Sequence, residues 1–300
     1  MNIQSYQATK MAFKSPAYLE VTKLKSVALL TLVGFLAGVV GYNLHPKTNQ
    51  GLLALVGSTV AVAIACMGAN TITNYVDRDI DALMVRTKQR PIPLGKISPP
   101  KKALFYGLVL VSLSMAVQSL LSVYGLVWIA VGLFFDIVAY NVWLKRRSPV
   151  NVIVGSIAGG APLMAIWSST VGEFWSTMPI LMASLVVLWT PIHIWSLAIR
   201  YADDYAKARI PMLPVVFGKK AAIHCIASAS LLLIVFSSFL FLLVQPKWYS
   251  FIAIATLNIS VSLLSGQLFI EPTDKNAWRL FKFSSPYLAL VFMILVTSAL

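Results

Sequence analysis

The residues best suited to chemistry in this chain form two acidic clusters. The first reads Asn70-Thr-Ile-Thr-Asn74-Tyr-Val-Asp77-Arg-Asp79-Ile-Asp81 and the second Arg200-Tyr-Ala-Asp203-Asp204-Tyr205. On a helix turning about 100° per residue, Asn70, Asn74, Asp77 and Asp81 fall within roughly 60° of one another, and Asp79 points the opposite way. Such a stripe of amide and carboxylate oxygens suits a hard cation such as Mg²⁺, which reaches a protein through one or two carboxylates plus substrate phosphates. Arg86, Lys88 and Arg90 follow directly. Carboxylates beside basic groups suggest a site for a metal-bound diphosphate.

In the second cluster, His193, Arg200 and Asp204 share a helix face within about 40°, with Asp203 and Tyr201 flanking it on opposite sides. His193 lies roughly 16 Å deeper than Asp204 at about 1.5 Å per residue. A lone histidine among apolar residues is usually a packed hydrogen-bonder. Alignment with Arg200 and Asp204 adds a functional reading, in which a diphosphate sits at the mouth and a second substrate below. Asp136, in Phe134-Phe135-Asp136-Ile137, has no sequence-local partner. It is either a structural hydrogen-bonder or a cavity residue. Asp79 reads as a solvated carboxylate, with Arg78 and neighbouring cations as its partners. Glu173 and Glu271 are expected to be solvated.

The elements that position these groups must be membrane helices. Of 300 residues, 58% are hydrophobic and only 11% charged, against about 25% in a soluble domain. Mean hydropathy is +0.80. Nine apolar stretches are long enough to span: about 27–43, 51–75, 103–121, 124–143, 152–169, 176–199, 221–244, 249–270 and 282–300. Backbone groups in a bilayer must be satisfied within the segment, which makes them helices. The third and fourth are so close at Ser122 that they must form a tight hairpin. The expected fold class is all-α, a polytopic bundle of nine transmembrane helices. Residues 1–300 form one membrane-embedded domain, with 1–26 as a cytoplasmic N-terminal segment carrying no cleaved signal peptide or transit sequence.

The net charge of +14 does not call for nucleic acid. With the N-terminus inside, 22 of the 24 Lys and Arg residues fall on the cytoplasmic side, leaving only Lys47 and Lys247 outside. That is a strong positive-inside pattern. Both acidic clusters then open at the cytoplasmic face, about 126 residues apart, the first followed by a basic loop with Pro91 and Pro93 and the second by one with Pro211 and Pro214. Equivalent positions in two halves are what a parallel repeat gives. Gly34, Gly38 and Gly41 in the first helix, and Gly155, Gly159, Gly160 and Pro162 in the fifth, read as close-packing faces. The fifth could also give a flat substrate room. Cys66 and Cys225 read as small hydrophobes, and Trp143, Trp175, Trp248 and Tyr249 as an interfacial belt.

These residues carry a resemblance. Asn74-Tyr-Val-Asp77-Arg-Asp-Ile-Asp81 is similar to the N-x-x-D-x-x-x-D signature of UbiA-type intramembrane prenyltransferases. Arg86-Thr-Lys88-Gln-Arg90-Pro91, Tyr140-Asn-Val-Trp-Leu-Lys145-Arg146, Asn151, and Gly159-Gly160-Ala161-Pro162 narrow it. Pro191-Ile-His193-Ile-Trp195 and Asp203-Asp204-Tyr205-Ala-Lys-Ala-Arg-Ile-Pro211 narrow it further. Over about residues 18–220 the chain resembles the haem-prenylating branch, the protohaem IX farnesyltransferases. Within that branch it departs at Thr22-Lys23-Leu24-Lys25, Asn141 and Arg209.

The resemblance implies the UbiA-type prenyltransferase fold and transfer of farnesyl from farnesyl diphosphate to a vinyl group of haem b. Water adds as well, and haem O and diphosphate are formed. It implies Mg²⁺ held by Asn74, Asp77, Asp81 and Asp204, with Asp77, Asp81 and Asp204 the catalytic acids. Arg86, Lys88, Arg90, Arg200 and Asp203 would bind substrate. His193 would ligate haem iron, and Lys145 or Arg146 would pair with propionates. Haem b is substrate rather than cofactor, membrane lipid surrounds the protein, and a haem A synthase is the partner expected. The setting is the plasma membrane of a prokaryote. Two other readings stay open: a UbiA-type enzyme with an aromatic quinone-precursor acceptor, and a secondary transporter with repeat halves. A transporter would place ion ligands at the bilayer midplane, whereas both clusters sit at one face.

Overall fold

The computed structural model describes residues 17–46, 48–244 and 247–299. Most of the expected N-terminal segment, residues 1–16, lies outside them. Among the described residues nine helices are long and apolar enough to cross a membrane. They are α1 Leu24–Leu44, α2 Asn49–Val76, α3 Lys101–Leu121, α4 Val123–Leu144 and α5 Asn151–Val171. Then come α6 Thr177–Arg200, α7 Gly218–Leu243, α8 Trp248–Ile270 and α9 Asp274–Ala299. Short helices at Ala17–Glu20, Arg78–Leu83, Ala202–Lys207 and Leu213–Val216 sit in the connections.

The ends follow local chemistry. Thr48 caps α2, its hydroxyl accepting the Gly51 N–H at 2.9 Å. The single residue Ser122 ends α3 and caps α4 by accepting the Gly125 N–H at 3.3 Å, which makes the tight hairpin. The sequence places the start of α9 near 282, but it begins at Asp274. The Thr273 hydroxyl accepts the Asn276 N–H at 3.2 Å. This capped polar turn extends the helix beyond its apolar stretch.

The helices form a ring. α5 lies centrally against α1, α2, α4 and α6, and α9 closes the ring against α1, α6 and α8. The glycines of α1 serve this packing. A Cβ on Gly34 would lie 2.7 Å from Ile166 Cδ1, and one on Gly38 would lie 2.7 Å from Ile166 Cγ2. Tyr287 donates to Asn258 Oδ1 at 2.9 Å between α9 and α8, one polar tie in an apolar interface.

Two features were not foreseen. The expected stripe assumes one continuous helix, yet α2 stops at Val76 and a new helix starts after Asp77, whose φ and ψ are −87° and 1°. The second half of α4, Phe134–Leu144, is π-helix. Such wide turns are rare and concentrate at functional sites.

Candidate active site

The break at Asp77 turns the chain without losing the face. Asn74, Asp77 and Asp81 are all buried, while Asp79 is exposed. Asp77 Oδ2 accepts from Lys145 Nζ and from Asn141 Nδ2 at 3.2 Å. Asp81 Oδ2 accepts from Arg90 Nη1 at 2.7 Å. Asn74 Nδ2 donates to the carbonyls of Asn70 and Val21, both at 2.8 Å. Asp204, also buried, accepts the Arg86 N–H at 3.3 Å, and Arg86 Nη2 donates to Tyr205 Oη at 3.4 Å. The loop after α2 thus reaches the turn after α6, and the two clusters meet at one end of the bundle.

The three buried carboxylates do not close into one cage. Each has its own cationic or N–H partner, and among the described residues no three acidic, histidine or cysteine side chains gather to hold a metal. The donor set nevertheless fits a hard cation. Asn74 Oδ1, Asp77 Oδ1 and Asn141 Oδ1 are buried oxygens with no hydrogen-bond partner. Buried oxygens left unpaired are costly, and Mg²⁺ takes few protein oxygens and completes its shell with phosphate and water.

The charges around these oxygens are tuned. Burial opposes the charge on Lys145, but Tyr140 and the Asp77 carboxylate outweigh it and hold the ammonium above the ordinary lysine value. Lys23 is pushed down to about 7, first by burial and then by Arg90 and Lys145. Its backbone is left-handed, φ 55° and ψ 53°, where a side chain is unfavourable. That turn enters α1 and directs Lys23 toward the carboxylates.

Outside this group the expected residues scatter. Arg146 holds the exposed Asp79 through two 2.7 Å bonds, and these bonds keep the Asp79 carboxyl below the usual range. Arg78, one of the cations expected to pair with Asp79, lies over the Tyr75 ring instead. Lys88 and Asp203 are exposed. Arg200 packs its guanidinium on the Trp278 ring at 4.8 Å.

Beneath the oxygens lies a cavity of 770 Å³ between α1, α2, α4, α5, α6 and α9. Asn70, Asp136, Tyr140 and His193 are polar points on a mostly apolar wall. Gly155 makes the wall thin, since a Cβ there would lie 2.7 Å from the Tyr140 ring. His193 is sandwiched between Trp189 and Phe281, with ring centroids at 4.6 and 4.3 Å. Its Nδ1 lies 2.7 Å from Ser284 Oγ. The Ser284 hydroxyl donates to the Phe281 carbonyl at 2.8 Å. With that proton on the carbonyl, Ser284 Oγ would accept from His193 and leave a lone pair on Nε2.

Sequence reasoning missed Asn141, Lys23, Lys25 and Tyr140 as members of this region. Asn141 and Tyr140 precede Lys145 by about one turn, a spacing that could have placed them on its face. Nothing local marks the left-handed turn at Lys23, and Lys25, exposed at the cavity rim, read as topology charge.

A family model described as the UbiA prenyltransferase family matches residues 27–292. A protoheme IX farnesyltransferase of Desulforudis audaxviator is 41% identical over 279 residues, covering 92% of this chain and 86% of that protein. One of Thermoplasma volcanium is 39% identical, covering 93% and 96%. Among solved structures, a digeranylgeranylglyceryl phosphate synthase superposes with a TM-score of 0.75 at 18% identity, covering 94% and 97%. A UbiA homologue of Archaeoglobus fulgidus bound to GPP and Mg²⁺ gives 0.62 at 18% identity, covering 93% and 99%.

Proposed function

The chain belongs to the UbiA prenyltransferase family, and from that premise we propose that it transfers the farnesyl group of farnesyl diphosphate to a vinyl group of haem b. Water adds in the same reaction, giving haem O and diphosphate. One observation carries the reading: a buried head of oxygens and cations lies about one turn beyond Asn70 and next to Tyr140, both on the wall of a 770 Å³ apolar cavity that also bears His193. That volume is ample for a flat organic ligand. Identity of about 40% to two protoheme IX farnesyltransferases supports haem over an aromatic quinone precursor.

Asn74, Asp77, Asp81 and Asp204 would hold Mg²⁺, with Asn141 beside them. When bound there, Mg²⁺ supplies Lewis-acid stabilisation of charge on the diphosphate oxygens. Arg86, Arg90 and Lys145 bring positive charge to the same oxygens, where negative charge grows as the allylic C–O bond breaks, and Lys88 lies exposed on the same loop. The apolar walls of α1, α2 and α5 shelter the isoprenoid chain and keep stray water from the cation. His193, held through Nδ1 by Ser284, presents Nε2 to the acceptor, and a histidine nitrogen is a common axial ligand of haem iron. Lys25, at the cavity rim, is the cation for a propionate, since Lys145 and Arg146 are held by Asp77 and Asp79. Arg200 and Asp203 stand at the rim.

The protein acts in a prokaryotic plasma membrane, with the N-terminus and both acidic clusters cytoplasmic. A haem A synthase receives its product. The test offers purified protein radiolabelled farnesyl diphosphate with haem b, or with an aromatic quinone precursor, with and without Mg²⁺. Label should enter haem alone, and only with Mg²⁺. Label entering the aromatic acceptor would move the enzyme to the quinone branch, and label entering neither would sink the enzymatic reading.

A further inference from the structure

Asp136 is the one acid within a spanning segment of the cavity wall, and nothing above uses it. It sits in the first turn of the π-helical half of α4, about two turns from Lys145. No side chain or backbone group hydrogen-bonds to it among the described residues. The residue is half-buried and lines the cavity. Tyr140, one turn on, lines the same cavity. A carboxyl group at this depth is costly, and a purely structural one would be paired.

The reaction leaves one role empty. Farnesyl diphosphate loses its C–O bond, and both electrons leave with diphosphate. The vinyl π pair forms the new C–C bond from the terminal vinyl carbon. The inner vinyl carbon, next to the porphyrin ring, becomes the cation. The oxygen of a water molecule then bonds to that carbon, and a proton must leave the oxygen. If no base stands there, the cation sheds a proton from the neighbouring CH₂ and gives an alkene without the hydroxyl.

We propose that the Asp136 carboxylate binds that water and takes its proton, so that it decides hydroxylated against dehydrated product. The diphosphate, held at the head about two helical turns away, is the competing base. The proton passes afterwards from Asp136 to bulk water through the cavity mouth. This role rests on the farnesyl-transfer reading.

The test compares wild type, Asp136→Asn and Asp136→Glu with radiolabelled farnesyl diphosphate, haem b, Mg²⁺ and heavy-oxygen water. Diphosphate release and the mass of the extracted haem are both read. Asparagine keeps the shape and removes a charge from an apolar wall, so the variant should insert. Wild type should give hydroxylated product carrying the heavy oxygen. Asp136→Asn should still release diphosphate, but the ratio of hydroxylated product to product lighter by one water should fall about a hundredfold, as expected for loss of a general base. Asp136→Glu should recover part of that ratio. An unchanged ratio in Asp136→Asn, or equal loss of both products with no recovery in Asp136→Glu, overturns the proposal. Absence of any prenylated haem from wild type removes instead the reading beneath it.

Discussion

Neutralising Asp77 separates the head from the surface. The Asp77 side chain is 3% exposed and that of its partner Lys145 is 16%. Asp77→Asn leaves the ammonium buried beside an amide that cannot balance it. Breaking a buried ion pair by removing one partner costs about 3–5 kcal/mol. Asp79, two residues on, is 61% exposed and pairs with Arg146 at 40%. Asp79→Asn should cost at most about 1 kcal/mol, the range of solvent-exposed pairs. The assay is thermal unfolding in detergent, followed by tryptophan fluorescence, beside farnesyl turnover. Asp77→Asn should lower the midpoint by roughly 10 °C, and Asp79→Asn should barely move it. Adding Lys145→Met to Asp77→Asn should recover most of the loss, because an apolar replacement of a buried pair is often neutral. Turnover should stay lost, since the proposed metal ligand is still missing. Equal midpoints for the two single variants, or no recovery in the double variant, would refute the reasoning.

Further outcomes follow from the same geometry. Asp81→Ala should nearly abolish turnover with insertion intact, while Asp79→Ala stays active; equal losses in initial-rate assays would count against the stripe. His193→Ala should shift the absorption spectrum of bound haem and raise the haem concentration needed for turnover; an unchanged spectrum and unchanged haem dependence would return His193 to a packing role. The Lys23 value is depressed, so the folded state binds fewer protons than the unfolded chain between about 7 and the ordinary lysine value of about 10.4. Charge on Lys23 therefore opposes folding fully below about 7, and stability is regained as pH rises through that window. Lys23→Met should then stabilise the substrate-free protein at pH 6 and lose that advantage near pH 10, as thermal midpoints would report. Gly68→Ala should cost about 1–3 kcal/mol of stability, because the new Cβ would lie 2.9 Å from the backbone oxygen of Gly107 on α3.

The stripe was legible because period and residue type agree: Asn74, Asp77 and Asp81 face inward and Asp79 outward, even though the helix breaks between them. The spans were legible from hydropathy alone, apart from α9, whose capped polar turn has no apolar signature. The meeting of Asp204 with Arg86 was implied only by the two clusters sharing one face, since their separation of 118 residues is bridged by tertiary packing. The π-helix was not legible. Its sequence, Phe134–Leu144, holds no Gly or Pro and reads as a plain continuation of the apolar span. Lys145 was assigned to an acceptor, but the structure turns it onto Asp77, because the nearest carboxylate to a buried ammonium is decided by fold rather than by spacing.

The central claim is that diphosphate binds at the head and haem in the cavity below. Crystals grown with Mn²⁺, a non-hydrolysable farnesyl thiodiphosphate and haem b would carry two anomalous scatterers, separable by wavelength. The account predicts the manganese peak beside Asn74, Asp77 and Asp81, and the iron peak inside the cavity near His193 Nε2. A manganese peak away from those oxygens, or iron on the outer surface of the bundle, would contradict it.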